Sequence, residues 1–114
     1  MHSNHQRIGE YLAALQLHMR QQRLWSEVPP APEALASTEP FACDTLLFSE
    51  WLQFVFIPRM GFLVAAKSPL PQRCDVAPMA EEFFRTRDAE GAAVVDVLRK
   101  IDRLLTTGGV NGQS

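Results

Sequence analysis

The stretch CDTLLFSEWLQFVFIPRMGFLVAAK, residues 43–67, constrains this chain more than any other. Read at the helical period, Leu47, Trp51, Phe54, Val55 and Phe62 fall on one stripe, and Leu52, Phe56, Met60 and Leu63 on a neighbouring one. A helix that is apolar around most of its circumference has to be surrounded by other elements. The fold must therefore enclose it, and 114 residues suffice for one small domain and no more. A membrane span is the obvious competitor for so apolar a segment. Glu50, Gln53, Arg59 and the helix-interrupting Pro58 argue against it, because a mid-membrane charge costs roughly 2.5–3.5 kcal/mol on insertion scales. Ser49 is the N-cap candidate, and Pro58 marks a kink, because its ring clashes with the carbonyl four residues earlier.

The remaining segments supply the surrounding helices. Ile8, Leu12, Leu15 and Met19 lie on one face of a first helix over residues 6–25, with Tyr11 and Leu24 beside them. Residues 26–40 hold Pro29, Pro30, Pro32 and Pro40 and read as a loop lying on the core through Val28 and Leu35. Pro69 and Pro71 end the apolar segment. From Asp75 a short helix follows, with Val76, Met79, Ala80, Phe83 and Phe84 sharing a face and Pro78 in its first turn. Asp88 is the cap candidate for the last helix, in which Val94, Val97, Leu98, Ile101, Leu104 and Leu105 form the cleanest amphipathic pattern of the chain. Asp96 and Lys100 stand four apart there in the favourable acid-first order. Gly108 and Gly109 stop that helix. The expectation is an all-α fold: a compact bundle of four to five helices with a kinked central helix near Pro58. Residues 1–5 are a polar tail, 6–106 a single bundle domain and 107–114 a flexible tail.

Composition narrows function by exclusion. Eleven Lys and Arg against thirteen Asp and Glu give a net charge of −2, so no global positive field is available for phosphate neutralisation, and no direct nucleic-acid binding is expected. Arg85, Arg87, Arg99, Lys100 and Arg103 form at most a modest patch, read as a solvated face. No glycine-rich phosphate loop is present. Cys43 and Cys74 match neither a disulfide framework nor a zinc or redox spacing, which fits a reducing, cytoplasmic setting. Cys43 next to Asp44 has no histidine base nearby, so a buried structural cysteine is the reading. His2 and His5 are tail histidines without further ligands, and His18 lies on the first helix; no metal site and no cofactor is expected.

Asp44, Glu50 and Arg59 are the charged residues inside the apolar segment, ahead of the Lys67 that ends it, and buried charges require partners. Arg59 is expected to pair with Asp44 or, across the bundle, with Glu81 or Glu82, as a brace that fixes how helices dock. Trp51 and Arg59 are also the residue types that dominate binding hot spots.

The order STEPF (37–41), Asp44, EWLQFVFIPRM (50–60) and LP (70–71) resembles the YqcC-like family of small bacterial proteins. The resemblance covers about residues 6–106. Carried over by position, the family's motif falls on Pro40, Phe41, Asp44, Glu50, Trp51, Leu52, Gln53, Ile57, Pro58, Arg59 and Met60. Ala42 and Cys43 depart from it, so Cys43 takes no role from the family. The resemblance implies a helical bundle with no established activity. Family genes often lie beside the gene for a tRNA pseudouridine synthase, which implies a partner or modulator of that enzyme. Two readings of function follow. One is a non-enzymatic protein-binding module, monomer or homodimer, that docks through the Trp51–Arg59 region or the proline loop. The other is a small enzyme or ligand-binding protein with a polar pocket around Asp44, Glu50 and Arg59.

Overall fold

The computed structural model describes residues 4–72, 74–85 and 91–108. These form α1 (Asn4–Gln21), α2 (Pro32–Leu35), α3 (Phe48–Trp51), α4 (Ile57–Ala66), α5 (Val76–Phe84) and α6 (Ala92–Gly108), with a 3-10 turn at Pro40–Ala42 and a π turn at Leu52–Phe56. No strand occurs among the described residues. Asp88, the expected cap of α6, lies outside them.

Helix α1 lies between α6 and α4, and α6 packs in turn on α5. The predicted faces fill the core: Ile8, Leu12, Leu15 and Met19 from α1, Val76, Ala80 and Phe84 from α5, and Val94, Val97, Leu98, Ile101 and Leu105 from α6 are all buried. Helix α1 begins at Asn4 and takes in His5, whose Nε2 lies 2.6 Å from the Ser68 carbonyl oxygen beyond the end of α4. His5 is thus part of the bundle and not of a polar tail. The Asp96–Lys100 pair forms at 3.2 Å on the exposed side of α6.

The apolar segment is helical from Phe48 to Ala66, and the disturbance expected at Pro58 takes the form of the π turn just ahead of it. Its buried residues explain the wider turn. Phe48, Leu52, Phe56 and Met60 all face the core and repeat every four residues. In a regular α-helix such a row drifts by about 40° per step, because 3.6 residues complete a turn. A wider turn cancels part of the drift, and the Ile57 amide correspondingly donates to the Leu52 carbonyl, five residues back. Pro58, which brings no amide, follows directly.

Two expectations for this segment fail. Ser49 is not the N-cap: the helix starts at Phe48, whose ring is driven into the core, and Ser49 is buried in the first turn. The N-cap position falls to Leu47, which has no acceptor, so Glu50 closes that end by accepting the Leu47 amide at 2.8 Å. Nor is the helix surrounded. Phe62 is 68% and Leu47 54% exposed, and Pro58, Arg59, Ala65 and Ala66 are exposed as well, because α4 packs on α1 along one side only.

The proline-rich loop is tied down by named bonds. Gln53, buried in the π turn, accepts the Ser26 amide at 2.7 Å and donates to the Ser26 carbonyl at 2.8 Å. Farther along, Thr45 Oγ1 donates to the Ala34 carbonyl at 2.7 Å. Val28, expected to lie on the core, is 73% exposed, and Leu35 is 38% exposed, so Gln53 does the anchoring that apolar contacts were expected to do.

Candidate functional site

The motif residues and the rest of the long helix's outward side make three groups, with Arg59 in two of them. Phe41, Trp51, Gln53 and Met60 build structure. The 3-10 turn places Phe41 and Ala42 in the left-handed region, at φ 57° and 50°, and sets the Phe41 ring edge-on to Trp51 at 4.9 Å between centroids. Trp51 also stacks near Phe48 at 6.0 Å and Phe56 at 5.5 Å, and Phe48 reaches Phe83 of α5 at 5.8 Å. Such aromatic pairs each contribute about 0.5–1.5 kcal/mol beyond their buried area. The cluster explains why Pro40 and Phe41 accompany the helix motif: the turn closes the side of Trp51 that the helix leaves open. Trp51 is half-buried in it, and Met60 is fully packed.

Asp44, Glu50 and Arg59 form the second group, and the structure does not bring them together. Asp44 is exposed and accepts the Ser37 hydroxyl at 2.5 Å, which closes the loop on itself. Glu50 is committed to the Leu47 amide. Arg59 is exposed and makes no ion pair among the described residues. Its expected partners are engaged elsewhere: Glu81 takes a two-pronged contact from Arg99 at 2.6 and 2.9 Å, and Glu82 pairs with Arg85 at 2.7 Å. The brace read from the sequence is not formed, because the four-residue core row turns position 59 outward. The polar pocket proposed around the same three residues is not formed either.

The third group is the outward side of the long helix. Phe54 and Val55 are half-buried, and Pro58, Arg59, Phe62, Ala65 and Ala66 are exposed. This is a continuous strip along the 48–66 helix, apolar but for one guanidinium. A separate open cleft of about 440 Å³ lies where the start of α1 meets the end of α4, lined by His5, Gln6, Val64 and Lys67.

Sequence reading passed over Asp102. Projecting from α6, its Oδ1 accepts the Val76 amide at 3.1 Å and the Cys74 thiol at 2.8 Å, and its Oδ2 accepts the Ala77 amide at 2.7 Å. The third residue of α5 is Pro78, so one carboxylate serves both amides that the first three positions of that helix offer. Burial, and then the Asp102 carboxylate beside it, push the Cys74 thiol well above the ordinary thiol range, which makes it a poor nucleophile. Cys43, expected to be buried, is exposed on the loop. Among the described residues no three His, Cys, Asp or Glu side chains gather as metal ligands, and no helix is long and apolar enough to cross a membrane. Three of the expected basic-patch residues, Arg85, Arg99 and Lys100, are each paired with an acid.

A family model described as DUF446, tRNA pseudouridine synthase C, matches residues 7–104. An uncharacterized protein of Haemophilus influenzae is 48% identical over 76 residues, 67% of this chain and 72% of that one. Protein YqcC of Escherichia coli is 38% identical over 102 residues, 90% of this chain and 94% of its own. A solution NMR structure of that protein superimposes with a TM-score of 0.80 at 37% identity, covering 92% of this chain and 90% of the other. A protein of Pectobacterium carotovorum named tRNA pseudouridine synthase C is 40% identical over 70 residues, which are 61% of this chain but 19% of that longer one.

Proposed function

Because the chain belongs to the YqcC-like DUF446 family, whose model spans residues 7–104, we propose that it is a non-enzymatic protein-binding module that acts as a partner of a tRNA pseudouridine synthase. The observation that carries the reading is the Pectobacterium chain, in which a segment similar to this one is part of a much longer protein named as that synthase. Covalent linkage keeps two modules at an effective concentration in the millimolar range, an advantage only when they act together. A chain of the same kind then works by docking on the synthase. The separate engagements of Asp44 and Glu50, and the exposed Arg59 without an ion pair among the described residues, favour this reading over a catalytic pocket, which needs such groups to converge.

Calorimetry of the purified protein against the tRNA pseudouridine synthase of its own cell, and separately against bare tRNA, tests it. Saturable binding to the synthase that weakens only modestly with salt is the expected result, because a chain of net charge −2 does not bind by releasing phosphate counterions. Tight, steeply salt-dependent binding to bare tRNA, or no binding to the synthase, overturns it.

A further inference from the structure

The strip on the outward side of the 48–66 helix suits a protein partner better than any other occupant. Phe62, 68% exposed, sits at its middle, one turn from Pro58 and Arg59 on one side and from Ala65 and Ala66 on the other. Small alanines beside a protruding phenylalanine let a partner's backbone come close while the ring enters a pocket. Arg59 is the strip's one cation, and with Glu50 bound to the Leu47 amide no carboxylate among the described residues pairs with it. Arg85, Arg99 and Lys100, by contrast, are each paired with an acid, and they lie on α6 or at the end of α5.

Charge complementarity selects the occupant. A second copy of this chain, docked about a twofold axis through the strip, brings a second Arg59 into the interface and no acid from the strip to answer either guanidinium. A nucleic acid meets one guanidinium on an otherwise apolar surface, far short of the six to ten phosphate contacts of a typical complex. A protein groove that is apolar at its floor and carries a carboxylate at its rim satisfies both Phe62 and Arg59. We propose that Phe62 and Arg59 are the anchors by which the chain docks into such a groove on the synthase. This rests on the partner assignment above and adds the surface and the chemistry of the contact.

The test is calorimetric titration of the synthase with the wild-type chain and with Phe62→Asp, Arg59→Glu and Val28→Asp, each checked by far-ultraviolet circular dichroism and a thermal melt. All three positions are exposed, Val28 at 73% on the proline-rich loop. The expected result is wild-type binding, loss of about thirtyfold or more with Phe62→Asp, about tenfold with Arg59→Glu, and no change with Val28→Asp. Should Phe62→Asp fail to fold, the Arg59→Glu result decides alone. Wild-type binding that both helix variants retain overturns the surface and leaves the partner standing. Loss with Val28→Asp alone moves the contact to the loop and also overturns the surface. Absence of wild-type binding removes the partner and the proposal with it. Self-association of the wild-type chain in analytical ultracentrifugation, abolished by Phe62→Asp, assigns the strip to a second copy and overturns the proposal.

Discussion

At the scale of single residues, two charged side chains show how position decides what a charge does. Arg59 lies in the most apolar segment of the chain yet stands in solvent, whereas Asp102 lies in a charge-rich helix yet organises the start of another. Replacing Arg59 by Ala or by Met is expected to change stability by less than about 0.5 kcal/mol in urea melts, the range for exposed positions without partners. Cys74 behaves otherwise. Its folded-state pKa lies above that of the unfolded chain, about 8.5, so between the two values the folded state holds a proton that the unfolded state has released. The contribution is therefore complete below about pH 8.5 and is lost as the pH rises, with a slope below the limit of about 1.4 kcal/mol per pH unit because the thiol is only partly buried. Cys74→Ser retains a donor for Asp102 and does not titrate, so the difference between its urea stability and that of the wild type should shrink as the pH is raised from 8 to 10. A constant difference would show that the thiol is not held protonated. Neither role was legible in sequence. Asp102 occupies an ordinary polar position of an amphipathic helix, and only the packing of α5 on α6 brings it to amides some 25 positions away.

At the scale of elements, what was legible follows from periodicity and what was missed follows from contacts. Helices α1, α5 and α6 could be read because each buries one regular stripe, and the structure buries those stripes. The π turn was hidden because a segment apolar on most sides fits the helical period in several registers. Its signal was nonetheless present as the strict four-residue spacing of Phe48, Leu52, Phe56 and Met60. Helix ends were also partly hidden. Arg23 and Lys67 end α1 and α4 in the left-handed region, at φ 60° and 54°, where glycine would have announced the stop. At the end of α4 the Ser68 amide donates to the Leu63 carbonyl at 3.0 Å and the Lys67 amide to the Val64 carbonyl at 3.2 Å. Gly91, by contrast, is needed for space: it faces the Phe84 ring so closely that a methyl group added there would overlap the ring. Gly91→Ala should therefore cost about 1–3 kcal/mol in a urea melt despite the better helix propensity of alanine. A neutral or stabilising result would show that α5 can shift away from the start of α6.

At the scale of the whole molecule, the loop over residues 26–40 decides whether the chain unfolds as one unit. A proline-rich connection with Val28 in solvent has little apolar area to hold it, so its attachment depends on the paired bonds between Gln53 and Ser26. Those bonds join the loop to the middle of the long helix, close to the point where the aromatic cluster joins that helix to α5. The chain has two tryptophans placed to report on this. Trp25, covered by the Arg20 guanidinium at 4.8 Å, sits next to the loop anchor, and Trp51 sits in the cluster. In a Trp51→Phe background, fluorescence then follows Trp25 while circular dichroism follows the helices. The two are expected to melt together, as in a two-state domain. Adding Gln53→Leu replaces a side chain of similar size and leaves the Ser26 amide and carbonyl without partners, at a cost of about 1–3 kcal/mol. Part of that cost appears as a lower melting temperature by both probes, and part as a Trp25 transition that precedes the loss of helix, because the loop has lost its tie while the core stripes of α1, α5 and α6 remain. Coincident transitions in the Gln53→Leu variant would mean that the loop is held by its other contacts, through Phe41 and Thr45, and that Gln53 is not its anchor.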